Sequence, residues 1–472
     1  MAMIDRIDEL ARLGRAVDEA PQLVVMRGRR RVGKSFLLVN AFAGRRLLFF
    51  QADEQDTRGH LELFAREARE LLPGTPPIAF ADWDEALTFL GDQARVEPLI
   101  VVLDEFQWLW AAQPALDSMI QRRWDVWQRE GVPLTLVLCG SSLIHMERLL
   151  GADRPLYGRA GYRPELAPLD FRWASEFAPT DADAEQRLRR YAVLGGTPQY
   201  QVWAGGGDLI DVIAERILTR GEPLYEEPLH LLREEQTIRT PGTYFDVLRA
   251  IAAGATRHNE IAQHAGGLDR GQTTKMLDRL ASLGYIQSRA PLGPGGPIPN
   301  RGVFRIADPF FRFWFRFVFP NRSRLEAGRV GDVMDQVLAG LDTYMGLAFE
   351  DTCREWAARH STDLPRFDEL GSWWDRRGTT EIDVVATARN RYTLIGSCTW
   401  SERAGPEVLG LLRRDAEALG PAAHGAQLCI FARGFAPELI DRAHREGVRL
   451  VEAAELVGRP LRPPGPGRRR RS

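Results

Sequence analysis

Gly28-Arg29-Arg30-Arg31-Val32-Gly33-Lys34-Ser35 is the stretch on which the fold turns. It follows a short apolar run, Leu23-Val24-Val25-Met26, and it opens a stretch of helical character from Lys34 to Phe42. The pattern G-x-x-x-x-G-K-[ST] between a strand and a helix is that of a phosphate-binding loop. The glycines let the chain wrap a phosphate, so that backbone N–H groups point inward at the helix N-terminus. In such a loop Lys34 reaches the outer phosphates and the Ser35 hydroxyl ligates Mg²⁺. The expected nucleotide contacts are therefore Gly28, Arg29, Arg30, Arg31, Val32, Gly33, Lys34, Ser35 and Phe36. ATP and Mg²⁺ are the expected ligands.

The segments around the loop read as an α/β domain. Leu99-Ile100-Val101-Val102-Leu103 is a second apolar run of strand length, and it ends in Asp104-Glu105. Two adjacent carboxylates at the end of a buried strand are costly unless they serve a cation or a water. Asp104 is expected in the Mg²⁺ shell, and Glu105 is expected to polarise the attacking water. Residues 46–51 and 134–139 read as two further strands. The last of these leads into Gly140-Ser141-Ser142. Ligands sit beyond the C-terminal ends of parallel strands, which puts Ser141 or Ser142 where the γ-phosphate or the water would be. Plain turn-forming serines would look the same. Helical patterns at 4–20, 59–72 and 83–95 alternate with the strands, the signature of a parallel sheet.

A chain of 472 residues has room for about three domains of roughly 150 residues each. Its 62 basic and 64 acidic residues leave a formal charge of −2, which excludes a uniformly basic nucleic-acid coat but not a local patch. Only Lys34 and Lys275 among the basic residues are lysines. Codon bias toward arginine accounts for the scarcity, although not for where the survivors stand. The four cysteines are far apart in sequence and form no C-x-x-C pair, as expected in a reducing compartment. No apolar stretch approaches the ~18 residues of a membrane span, and the N-terminus lacks a signal-peptide apolar core. The cytoplasm is the expected location, with no membrane partner.

Beyond residue 170 the strand runs stop, and 171–242 reads as a helical lid. Residues 243–306 read as three short helices and a strand pair around a Pro/Gly loop, a winged helix. Its third helix is expected to expose Arg270, Gln272, Thr273, Thr274, Lys275 and Arg279, residue types that contact base edges and phosphates. Eight basic residues against four acidic ones make this segment locally positive, and double-stranded DNA is the expected partner. Residues 307–337 form an aromatic-rich connector whose Phe and Trp residues are too dense for one exposed face. A second α/β pattern covers 338–458, and a basic tail, read as disordered, covers 459–472.

The order of these motifs resembles the archaeal-type AAA+/STAND-like P-loop ATPases that also occur in bacteria. The resemblance rests on Asp5 to Leu10, Gly28 to Ser35, Leu103 to Gln107, Gly140 to Ser142, Pro155 to Arg159, Gly195-Gly196-Thr197-Pro198 and Asp308 to Phe317. Together with the motifs above it points to ATP hydrolysis by a nucleotide-driven switch coupled to DNA, the alternative being a non-catalytic ATP-sensing DNA-binding regulator or scaffold. It also implies that Arg159 acts on a neighbouring subunit's γ-phosphate in a homo-oligomer, with Arg154 as a rival. Pro198 then corresponds to a proline near the base that relays nucleotide state to the lid. Residues 338–458 resemble the restriction-endonuclease-like PD-(D/E)XK domain, with Glu350 and Asp383 as its acids. The acid-x-Lys positions of that fold hold Ser397 and Thr399. The domain is thus expected to be a degenerate nuclease used for binding or assembly.

Overall fold

A computed structural model describes residues 3–71, 78–235, 238 and 240–458. The tail at 459–472 lies outside the described residues. Contacts divide the chain into two units, Met1–Pro168 and Leu169–Ser472.

The first unit is built on four parallel strands: β1 (Gln22–Arg27), β2 (Leu47–Gln51), β3 (Leu99–Asp104) and β4 (Leu134–Gly140). They lie in the order β1-β4-β3-β2. β3 is buried along its whole length because helices cover both faces, which is why its sequence is uniformly apolar rather than alternating. Leu99, Val101 and Leu103 enter one core, with Trp83, Trp124 and Trp127. Ile100 and Val102 point the other way, into a core shared with Leu13, Leu37 and Leu38. These last three come from α1 (Ile7–Asp18) and α2 (Lys34–Ala41). Residues 162–165 run beside β1, with Val25 N–H donating to the Tyr162 carbonyl at 3.0 Å and Arg27 N–H to that of Pro164 at 3.0 Å.

The helices at Thr57–Leu71 and Trp83–Val96 match the periodicity. Three further helices, Phe106–Ala112, Leu116–Glu130 and Leu143–Leu149, were not marked by it. Phe106–Ala112 is buried at Phe106, Gln107, Leu109 and Trp110, so it lacks the polar face that makes a helix visible in sequence.

In the second unit, helices Ala184–Leu194, Pro198–Ala204 and Pro223–Glu234 precede the three short helices Pro241–Ala252, His258–His264 and Arg270–Ser282. An antiparallel ribbon follows, pairing Ile286–Arg289 with Val303–Ile306. The aromatic block buries Phe310, Phe311, Phe313, Trp314 and Phe315 in core packing. The expected boundary at 337/338 falls inside one helix, Val330–Arg359. Its buried positions Val333, Val337, Leu341 and Met345 recur every fourth residue and form one continuous stripe.

A five-stranded sheet completes this unit. Its strand order is Arg449–Glu452, Gln427–Ala432, Arg391–Cys398, Glu381–Ala388 and Glu369–Trp374. The last three form an antiparallel meander, and the first two add in parallel. Phe171 and Leu188, from the stretch read as a lid, share one apolar core with Phe349, Trp356 and Phe431. Among the described residues no helix is long and apolar enough to cross a membrane.

Candidate nucleotide site

The sheet order makes β1, β4 and β3 neighbours, so the residues that follow these three strands converge on one edge. After β1 the chain turns through the loop into α2, with Gly33 at φ 92°, a conformation that glycine adopts without strain. Gly28 has a different reason to be glycine. A Cβ there would stand 2.6 Å from the Leu166 carbonyl oxygen.

Lys34 is nearly buried, 6% exposed. Its ammonium donates to the Gly28 carbonyl at 2.8 Å and the Arg29 carbonyl at 3.1 Å. Two of its three N–H groups thus brace the loop, and one is left for a ligand. Val32 is buried in the core with Leu37 and Leu38, so only its backbone is available to a nucleotide. Phe36 is 43% exposed.

Ser35 Oγ donates to Asp104 Oδ2 at 2.6 Å, joining the first turn of α2 to the end of β3. Asp104 is 2% exposed, and its other oxygen accepts the Glu105 N–H at 3.0 Å. No cation pairs with this buried carboxylate among the described residues. Glu105 sits at φ 53°, a left-handed conformation uncommon for a residue with a Cβ and a form of stored strain. That turn brings its carboxylate to the end of β4, where Ser141 Oγ donates to Oε2 at 2.6 Å.

Gln107 completes the group and was given no role from sequence. Its Nε2 donates to the same Glu105 oxygen and lies 3.1 Å from Ser141 Oγ. Its Oε1 is buried without a partner. In the sequence it stands out only as the last residue of the Leu103–Gln107 motif, two places after Glu105. Ser142, the rival to Ser141, instead bonds His145 Nδ1 at 2.8 Å.

Arg159 and Arg154, in the first unit, make contacts of their own. Arg159 forms a two-pronged ion pair with Asp125, at 2.8 and 3.0 Å, and donates to the Pro155 carbonyl at 2.9 Å. That hydrogen-bonded pairing holds the Asp125 carboxyl below its ordinary pKa. Arg154 lies over the Trp110 ring, 5.2 Å from its centroid. Pro198 belongs to the second unit, at the first turn of Pro198–Ala204. On the third short helix Arg270, Gln272, Thr274 and Lys275 are exposed and Arg279 is half-buried. Thr273 is not exposed as expected: it is fully buried, and its hydroxyl donates to the Asp269 carbonyl at 2.9 Å.

In the C-terminal sheet Asp383 Oδ2 accepts the Cys398 N–H at 2.7 Å, with Ser397 Oγ at 3.5 Å. Burial, reinforced by the Asp383 carboxyl, pushes Glu350 up to about 7. Burial also raises Asp383. For Asp351 burial opposes ionisation, but Arg312, Arg289 and Arg354 outweigh it and hold the group well below the carboxylate range. Among the described residues no group of three or more His, Cys, Asp or Glu side chains is arranged to hold a metal ion.

The raised Glu350 has a consequence for stability. Its proton is held in the native state and released in the unfolded chain between about pH 4.5 and about pH 7, so stability falls as pH rises through that window. Glu350→Gln is expected to be more stable than the parent at pH 8 by about 1–3 kcal/mol, with the gap closing near pH 5. Urea midpoints across this range test it, and a gap independent of pH would rule out the buried carboxyl as its cause.

These features define an α/β domain with a parallel sheet and a strand–loop–helix of P-loop form. Residues 314–416 match the family DUF234, described as archaeal and bacterial proteins of unknown function. The chain is 29% identical over 420 residues to the uncharacterized protein MJECL04 of Methanocaldococcus jannaschii, covering 87% of this chain and 90% of that one. Among solved structures it is similar to the Walker-type ATPase PABY2304 of Pyrococcus abyssi. That match has TM-score 0.47 and 21% identity, and covers 66% of this chain and 96% of the other. The ORC2 protein of Aeropyrum pernix, in ADPNP–ADP complexes, matches with TM-score 0.43 and 16% identity, over 72% of this chain and 96% of its own.

Proposed function

We propose that the chain binds Mg·ATP at Gly28–Ser35, hydrolyses it, and uses the cycle to switch its engagement of duplex DNA. One observation carries the reading: a buried carboxylate, Asp104, bonds the Ser35 hydroxyl at 2.6 Å and has no partner cation among the described residues. An ionised carboxylate in that setting is stable only with a counter-charge nearby. Ser35 and Asp104 would hold a divalent ion brought with the nucleotide, and that ion would supply the counter-charge and neutralise charge on the phosphates. Lys34 and the loop N–H groups bind the phosphates, Glu105 orients the water, and Ser141 and Gln107 fix Glu105. Arg159 has to leave Asp125 before it can serve a neighbouring subunit.

The DNA element of the reading is supported by Arg270, Gln272, Thr274 and Lys275, exposed along one helix beside the ribbon at 286–289 and 303–306. The test is ATP turnover measured with and without duplex DNA, together with particle size in a non-hydrolysable analogue. Stimulation by DNA supports the switch. DNA binding with no turnover in any condition leaves the non-catalytic regulator. The double variant Arg270→Ala/Lys275→Ala is expected to weaken duplex binding and flatten the plot of log affinity against log salt by about two. An unchanged slope in a fluorescence-anisotropy salt series would remove this helix from the phosphates.

A further inference from the structure

Within the second unit a cavity of about 470 Å³ opens beside Pro241–Ala252, Val303–Ile306, the aromatic segment and Val330–Arg359. Small-molecule sites span about 300–1,000 Å³. Ile251, Ile306 and Leu347 give it apolar walls. Leu347 is left 43% exposed. Arg305, Arg312 and Arg316 also line it, and no Asp or Glu does.

The guanidiniums are held from outside the cavity. Arg312 is gripped by Asp351 at 2.9 Å. Arg305 stands 3.7 Å from Glu350 and 3.6 Å from Glu381, ion-pair separations too long for hydrogen bonds. Arg305 Nη1 and Arg312 Nε are both buried without an acceptor. Arg316 is exposed, and no carboxylate engages it among the described residues. Those two nitrogens are closed off from the cavity as well as from acceptors; Arg316 is the exposed guanidinium, and three arginines around one cavity favour an anionic ligand. In a chain whose basic residues are nearly all arginine, the residue type says little. The carboxylate-free lining, and an exposed Arg316 that no carboxylate engages among the described residues, are what point to a ligand.

We propose that this cavity binds a small amphiphilic organic anion, its carboxylate or phosphate head on Arg305, Arg312 and Arg316 and its apolar body along Ile251, Ile306 and Leu347. The site is separate from the nucleotide loop and does not depend on ATP turnover. Calorimetric titration of the full chain with octanoate, octyl phosphate and octanol tests it. One equivalent of an anion is expected to bind, the tighter of the two identifying the head group, with octanol at least about tenfold weaker. Arg316→Glu, at an exposed position, is expected to weaken anion binding at least about tenfold. Leu347→Trp is expected to block it by filling the cavity. Binding persists in Lys34→Ala if the anion occupies this cavity rather than the phosphate loop. Equal affinity for octanol, indifference to Arg316→Glu, loss in Lys34→Ala, or no saturation below about 10 mM would each overturn the proposal.

Discussion

Lys34→Ala is expected to raise the dissociation constant for ATP at least about a hundredfold, or about 2.7 kcal/mol. Two losses combine. The ammonium leaves a nearly buried position, so the proposed site loses a fixed cation for the phosphates. The Gly28 and Arg29 carbonyls lose the donor that braces the loop, so the N–H cradle loosens as well. Lys34→Arg separates charge from shape. It keeps the charge, but a planar guanidinium is broader and more rigid than a rotatable ammonium, and the ammonium sits nearly buried against the Gly28 and Arg29 carbonyls. Lys34→Arg is therefore expected to bind far closer to the alanine variant than to the parent. Isothermal titration with a non-hydrolysable analogue reads both. Parental affinity in Lys34→Ala would remove the loop from nucleotide binding altogether. In a chain that otherwise uses arginine almost everywhere, near-parental binding by Lys34→Arg would show that codon bias merely missed this position.

The loop and the strands were legible because each is written locally. A glycine-bounded octet with Lys and Ser at its end has few other uses, and a strand buried on both faces announces itself as an apolar run. What the sequence hid depends on register. Gln107 reaches Ser141 only because β3 and β4 are hydrogen-bonded neighbours, with Leu103 opposite Leu138. Thirty-four residues separate the two side chains, and nothing local links them. Thr273 was misread for the opposite reason: a hydroxyl that bonds the carbonyl four residues back needs no water, so its polarity was no guide to exposure. The arginines around Asp351 come from three places, Arg289, Arg312 and Arg354. In a chain this rich in arginine, composition could not single them out. Residues 337 and 338 lie within one helix, whose buried stripe runs on through both sides of the expected boundary.

Glu105→Gln is expected to keep ATP binding within about twofold and to lower turnover at least about a hundredfold, the scale of a lost general base. The geometry explains why the two effects separate. Ser141 and Gln107 both donate to Oε2 of Glu105, leaving Oε1 without a hydrogen bond among the described residues. In the glutamine variant the amide carbonyl can take the Oε2 place and keep both donors, so the strained turn at φ 53° and the neighbouring Asp104 need not move. Only the outer oxygen changes, from an acceptor that can take a water's proton into an NH2 group that can only donate to the water oxygen. Binding through Lys34, Ser35 and the loop is then untouched, and the loss falls on the step that needs a basic oxygen. Single-turnover hydrolysis, measured alongside the binding isotherm, separates the two. An unaltered rate would exclude Glu105 as the residue that activates water, and an equal loss of affinity and rate would make it a support for the fold of the site. The expected split, affinity kept and rate lost, distinguishes hydrolysis at this edge of the sheet from nucleotide sensing alone, because a sensor has no step for that oxygen to serve.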